Sequence, residues 1–237
     1  MEKNKVTILS TRPVGKELIN EAARHNILID EISFISTERI ADKEMEEKIK
    51  QLALQNITAV FTSMNAVEAV AKFINSTTMW TIFCIGNTTK KLVENSFGSA
   101  NIAGTANNAD QLAEKIIEQT TIKKVYFFCG DKRREELPEK LKSNNVEIEE
   151  LLVYRTIETP QVISKKYDGV LFFSPSAVQS FFSKNTISWN AQVFAIGATT
   201  AEAIKPFAQL PVIIAETPGK ENLLRQVVDY FSKTQIF

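Results

Sequence analysis

VTILSTR at residues 6–12 and VYFFCGD at 125–131 carry one pattern, a β-branched or aromatic run that ends on small polar residues. The displacement that takes residue 6 to 125 also takes Asn26 to Asn145, each closing a helical stretch ahead of the next strand. Asn tolerates the left-handed conformation needed just past a helix, so both positions read as helix stops. Farther on, TSMNAV (62–67) matches FSPSAV (173–178), and IGNTT (85–89) matches IGATT (196–200). The chain reads as two diverged copies of one series of β and α units.

Strand-like runs recur along its whole length. They are VTILS (6–10), LIDEISF (28–34), AVFT (59–62), TIFCI (81–85), NIA (101–103), KVYFF (124–128), EIEELLV (147–153), GVLFF (169–173), QVFAI (192–196) and VIIA (212–215). Helical periodicity lies between most of them; Met45, Ile49 and Leu52, for example, share one face. Such alternation predicts an α/β fold with parallel sheets, and ten strands divide best into two five-stranded sheets. ISTERI (35–40) and YRTIET (154–159) are polar, extended and equivalently placed, which suits a two-stranded connection between domains. If both cross, residues 1–34 rejoin 160–237, residues 41–153 form the other domain, and each is flavodoxin-like. Two sequential domains, 1–120 and 121–237, satisfy the same pattern.

Composition narrows the function. Among 237 residues, Lys+Arg and Asp+Glu both number 28, and zero net charge disfavours a nucleic-acid partner. No apolar run approaches the ~18 residues of a membrane helix. The opening MEKNKVTILSTRP has neither a long apolar stretch nor a small-residue cleavage site, so a cytoplasmic protein is expected. Cys84 and Cys129 sit in strand-like segments and read as free, buried thiols. His25, the sole histidine, falls at a helix end, where the dipole favours a surface role. One His and two separated Cys do not make a typical zinc site, and neither GxGxxG nor GxxxxGK[ST] occurs. A monomer is the default.

In open α/β sheets ligands bind beyond the carboxyl ends of the strands, where helix N-termini point. Those ends are alike here: Ser10-Thr11-Arg12-Pro13, Thr62-Ser63, Gly86-Asn87-Thr88-Thr89, Cys129-Gly130-Asp131, Ser174-Pro175, Gly197-Ala198-Thr199-Thr200 and Thr217-Pro218-Gly219. Any one hydroxyl is most simply an N-cap. A uniform set in both copies goes further, offering amides and hydroxyls that bind carboxylates or phosphates without a basic surface. Departures from the repeat stand out against it. Arg12 aligns with Asp131, and Tyr154 with Ile35, which puts a phenol where the other copy has an aliphatic chain.

Taken in order, TRP (11–13), FTSMNAV (61–67), IGNTT, NNADQLAEKI (107–116), Gly130 with LPEKLKSNNVEIEELLVYRT (137–156), FFSPSAV, IGATT and a late TP (217–218) resemble the uroporphyrinogen-III synthase family over nearly the whole chain. The resemblance implies two domains joined by a two-stranded linker: 1–35 with 160–237, and 41–153, with 36–40 and 154–159 as linker strands. It implies a cofactor-free lyase that cyclises linear hydroxymethylbilane to uroporphyrinogen III, inverting the terminal pyrrole ring and releasing water. It further implies Tyr154 as catalytic, with Thr11, Arg12, Thr62, Ser63, Asn87, Thr89, Ser174, Thr199 and Thr217 binding substrate. A flavodoxin-like FMN electron carrier and a non-enzymatic, two-domain anion-binding module are the competing expectations from architecture alone.

Overall fold

Short, nearly unbroken apolar runs, buried on both faces, build both sheets. The computed structural model describes residues 5–40, 42–188, 190–217 and 219–234, with Asn87 and Thr234 described by backbone alone. In chain order the elements begin β1 (Val6–Ser10), α1 (Lys16–Arg24), β2 (Ile27–Glu31), β3 (Ile35–Arg39), α2 (Lys43–Ala53), β4 (Thr58–Phe61) and α3 (Met64–Ala71). They continue with β5 (Thr81–Ile85), α4 (Asn87–Phe97), a 3-10 turn (Ser99–Asn101), β6 (Ile102–Ala106), α5 (Ala109–Ile117), β7 (Lys124–Gly130), α6 (Glu136–Ser143) and β8 (Glu147–Glu158). The last are β9 (Gly169–Phe172), α7 (Pro175–Phe182), β10 (Gln192–Ala195), α8 (Ala198–Ile204), β11 (Ile213–Ile214) and α9 (Lys220–Thr234). The chain divides into two units, one reaching to Ser36 and resuming at Ile157, the other Thr37–Thr156.

The first unit holds a five-stranded sheet in the order β11-β10-β9-β1-β2, paired in parallel. Ile8, Leu171 and Phe194 join one apolar cluster, while Leu9, Val170, Phe172, Val193 and Ala195 join another. That is the alternation of strands covered on both faces, the condition under which parallel sheets are stable.

The second unit repeats the arrangement with the order β3-β8-β7-β4-β5-β6, and its β4, β5, β6, β7 and β8 pair in parallel. Ala59, Phe61, Ile82, Cys84 and Phe128 enter one cluster; Val60, Phe83, Phe127 and Cys129 enter the other. Within the first of these Phe61 stacks on Phe128 and Trp80 on Phe128, with centroids 5.1 and 5.4 Å apart. The Trp80 indole N–H donates to the Leu52 carbonyl at 2.8 Å, so its polar tip is satisfied.

Five strands per sheet therefore holds for the first sheet and needs correction for the second, which has six. Segment 35–39 hydrogen-bonds along β8, and Ile40 N–H donates to Val153 O at 3.0 Å. The edge of β8 away from β7 would otherwise expose unpaired N–H and C=O groups. Helix stops fall where Asn residues marked them: Asn26 at φ 59° and Asn145 at φ 60°. Among the described residues no helix is long and apolar enough to cross a membrane.

Candidate active site

The first unit gathers its polar loop residues at the carboxyl ends of β1, β9, β10 and β11, but it uses them differently. Thr11 is fully buried. Its N–H and its hydroxyl both donate to Leu171 O, at 3.1 and 2.7 Å, which ties the end of β1 to β9. Ser10 Oγ donates to Arg12 O at 2.6 Å and turns the loop. Arg12 itself is exposed, with its guanidinium 5.6 Å from the Phe173 ring centroid. Among the described residues no carboxylate lies within ion-pair distance of Arg12, so the charge is available to an anion.

Helix N-termini in this unit also differ. Val14 N–H and Gly15 N–H donate to Glu31 Oε1 at 2.6 and 3.3 Å, so a carboxylate of the chain occupies the start of α1. Ser174 caps α7 by accepting from Ala177 N–H at 3.2 Å, with Pro175 in the first turn. By contrast α8 starts at Gly197 with no side-chain cap, leaving Thr199 exposed and Thr200 buried in its first turn. Thr217 is exposed ahead of α9.

In the second unit the same set recurs with one addition. Gly86 starts α4 at φ 68°, without a side-chain cap, and Thr89 is buried in the first turn. A left-handed backbone at that position favours glycine over any residue with a Cβ. The helix carries Asn87 as its first residue; the Asn87 side chain lies outside the described residues. Thr62 is half-buried. Ser63 caps α3, accepting from Asn65 N–H at 3.2 Å, and Tyr154 Oη donates to Ser63 Oγ at 3.2 Å. Burial pushes the Tyr154 phenol above its ordinary value, the bond to Ser63 pulls it back in part, and the charge of Asp131 adds to the rise. At neutral pH the side chain is a protonated donor.

The residues that frame Tyr154 come from far along the sequence. A Cβ on Gly130 would fall 2.3 Å from Tyr154 Cζ, so the ring lies across a glycine backbone. Other groups are excluded from nucleophilic work by their surroundings. Burial pushes the Cys84 thiol up to about 11 and the Cys129 thiol up to about 12, so neither is a thiolate at neutral pH. His25 is exposed at the end of α1. Among the described residues no group of three or more His, Cys, Asp and Glu is placed to hold a metal ion.

A family model described as uroporphyrinogen-III synthase HemD matches residues 16–225. The chain belongs to the uroporphyrinogen-III synthase family. Solved structures agree at the level of fold. A uroporphyrinogen-III synthetase from Helicobacter pylori is 16% identical, with 95% of this chain and 99% of that one covered and a TM-score of 0.67. A mutant uroporphyrinogen III synthase from the extremely thermophilic bacterium Thermus thermophilus is 13% identical, covering 96% and 99%, with a TM-score of 0.63. Membership in the synthase family favours a tetrapyrrole-forming role over an electron carrier or a plain anion-binding module.

Within this synthase-family chain, four features of the site escape a reading of the sequence. Glu31 at the start of α1, the bond between Tyr154 and Ser63, the Gly130 backbone under the phenol and the side chain of Asp131 beside it all depend on strand register. The repeat does carry one signal. Gly130 aligns with Thr11 and Asp131 with Arg12, so the two copies part company at the end of β7, where Tyr154 sits.

Proposed function

We propose that this protein is a uroporphyrinogen-III synthase, a lyase that converts hydroxymethylbilane into uroporphyrinogen III with loss of water and inversion of the last ring. The observation that carries the reading is the family match across residues 16–225. Support comes from the chemistry of the strand ends. Acetate and propionate side chains need anion sites, and the first turns of α4 and α8, which lack side-chain caps, with Thr89, Thr199 and Arg12, supply N–H, hydroxyl and guanidinium donors. Thr62, Ser63, Asn87, Ser174 and Thr217 complete the proposed substrate contacts. Thr11, with its hydroxyl given to Leu171, supports the loop that presents Arg12.

Tyr154 is the proposed proton donor. Departure of the hydroxymethyl oxygen breaks a C–O bond, and the phenol proton passes to it so that water leaves. The pyrrole nitrogen lone pair stabilises the carbon as an electrophilic azafulvene. Ser63 can then turn its own hydroxyl proton to the phenolate oxygen, because each hydroxyl both donates and accepts. Attack by the substituted carbon of the terminal ring gives a spiro intermediate, and fragmentation with re-closure inverts the ring. The ring proton lost at the end restores the phenol. The substrate also cyclises unaided to the uninverted isomer, so positioning carries as much of the task as acceleration.

The same reading takes each unit as a flavodoxin-like domain, 1–35 with 160–237 and 41–153. Segments 36–40 and 154–159 form an antiparallel linker. Two backbone bonds support that pairing, Ile40 N–H to Val153 O and Thr159 N–H to Phe34 O, since one index falls as the other rises. The proposal includes a cytoplasmic monomer acting on a small molecule, with no nucleic-acid or membrane partner and no cofactor. Incubation with freshly prepared hydroxymethylbilane, acid quenching, oxidation and separation of the isomers tests it. Type III product in excess of type I is expected; type I alone, at the rate of the protein-free control, contradicts it.

A further inference from the structure

We infer that Asp131 is a positioning residue for the Tyr154 hydroxyl and that Gly130 is the seat the phenol ring requires. The inference rests on the proposed role of Tyr154 and adds what holds that phenol in place. Strands β7 and β8 pair regularly from Lys124 opposite Glu147 to Cys129 opposite Leu152. The register then slips, so that Gly130 pairs with Tyr154 and Val153 is the extra residue of a bulge. Leu151, Val153 and Tyr154 all pack against the same apolar cluster, as expected where a bulge turns two successive side chains to one side. Without the slip, strand alternation would send residue 154 to the opposite face from Val153.

Just past the bulge, Asp131 takes the two backbone groups of β8 that flank Arg155, one of them Tyr154's own carbonyl. Its N–H donates to Tyr154 O at 3.3 Å, and its Oδ1 accepts from Thr156 N–H at 2.8 Å. The carboxylate is otherwise exposed and in no ion pair among the described residues, so its strong local partner is the backbone of β8. Gly130 completes the seat. A Cβ there would meet Tyr154 Cζ, Cε2 and Oη at 2.3, 2.5 and 2.8 Å, all closer than real contacts allow. The ring is rigid and lies against backbone on that side, so a larger residue at 130 must displace the hydroxyl from Ser63.

The test compares kcat and KM for type III formation in Asp131→Ala, Asp131→Asn and Gly130→Ala, each alone and with Tyr154→Phe. A catalytic group moved by about an ångström loses up to ~10²-fold in rate. Asp131→Ala is expected to lose about 10- to 100-fold in kcat with KM held within about threefold, because the clamp acts on the phenol and not on substrate affinity. Asn keeps an acceptor for Thr156 N–H, so Asp131→Asn should stay within about threefold of wild type. Gly130→Ala should fall to about the level of Tyr154→Phe. In the Tyr154→Phe background neither alanine change should cost more than about twofold further, because no hydroxyl is left to misplace.

A full-sized, additive loss in that background overturns the inference, since it marks a general structural role. So does an Asp131→Asn loss as large as that of Asp131→Ala, or an Asp131→Ala enzyme with wild-type kcat. Asp131 is on the surface, and thermal melts of its two variants confirm that folded enzyme is being assayed. Failure of the parent reading shows in separate arms. Wild-type protein that makes no type III product sinks the synthase assignment. Tyr154→Phe with wild-type turnover removes the proton donor, and with it any residue that positions it.

Discussion

Replacing Tyr154 by Phe removes one oxygen and leaves the ring seated against Gly130. The bond lost is the 3.2 Å contact to Ser63, whose Oγ keeps the Asn65 N–H at 3.2 Å, so no buried acceptor is stranded. A neutral hydrogen bond is worth ~0.5–1.5 kcal/mol net. In a protein of this size that lowers Tm by about 1–6 °C, and the variant should fold. The catalytic cost is larger. General acid catalysis contributes ~10²–10⁴-fold, or ~2.7–5.4 kcal/mol of barrier, and kcat should fall by that factor while substrate still binds.

The pH dependence follows from the direction of the shift. A phenol acts as a donor only while protonated, and burial raises Tyr154 above its ordinary value of ~10. Wild-type kcat should therefore hold flat through neutral pH to about 9 and decline only above ~10 as the proton is lost. The assay is initial-rate type III formation from fresh hydroxymethylbilane across that range, with the spontaneous type I product subtracted. Retention of more than half of wild-type kcat in Tyr154→Phe refutes the reasoning. A basic limb centred well below 9 that disappears in the variant does so too, because it would mark an acidified phenol.

Arg12→Ala should raise KM more than it lowers kcat, as loss of a carboxylate contact would; an unchanged KM removes Arg12 from the substrate site. Thr11→Val deletes a buried hydroxyl that donates to Leu171 O, and should cost ~0.5–1.5 kcal/mol in denaturant unfolding with KM unchanged. A large KM effect with no loss of stability would instead put Thr11 in contact with substrate. Glu31→Ala uncovers the Val14 and Gly15 N–H groups at the start of α1 and should cost ~0.5–2 kcal/mol, with Glu31→Gln recovering part of it. An unshifted unfolding midpoint would contradict that cap.

Local signals in the sequence carried much of the fold. VTILS and TIFCI match β1 and β5 residue for residue, because parallel strands covered on both faces show as short unbroken apolar runs. Asn26 and Asn145 mark helix ends because the left-handed conformation is a property of single residues. Ser63 and Ser174 act as N-caps from extended backbone, each side chain accepting an N–H of its own first turn, which is equally local. Less legible was ISTER, whose polar side chains say nothing of the β8 edge it joins. The candidate site divides along the same line. Hydroxyls could be placed at strand ends by inspection, but whether they face inward, as Thr11 does, depends on the Leu171 carbonyl of β9. Tyr154 and Ser63 lie 91 residues apart, and the one-residue slip opposite Gly130 that brings the phenol round has no counterpart in periodicity.

In the proposed function, backbone amides and hydroxyls at the carboxyl ends of the strands grip an acidic tetrapyrrole. Amide NMR of the protein titrated anaerobically with uroporphyrinogen III tests this directly. The largest shifts are predicted at 63–66, 86–90, 174, 176, 177 and 197–200, in the first turns of α3, α4, α7 and α8. Shifts confined to the opposite, amino ends of the strands, such as the Lys123–Tyr126 groove, would contradict it.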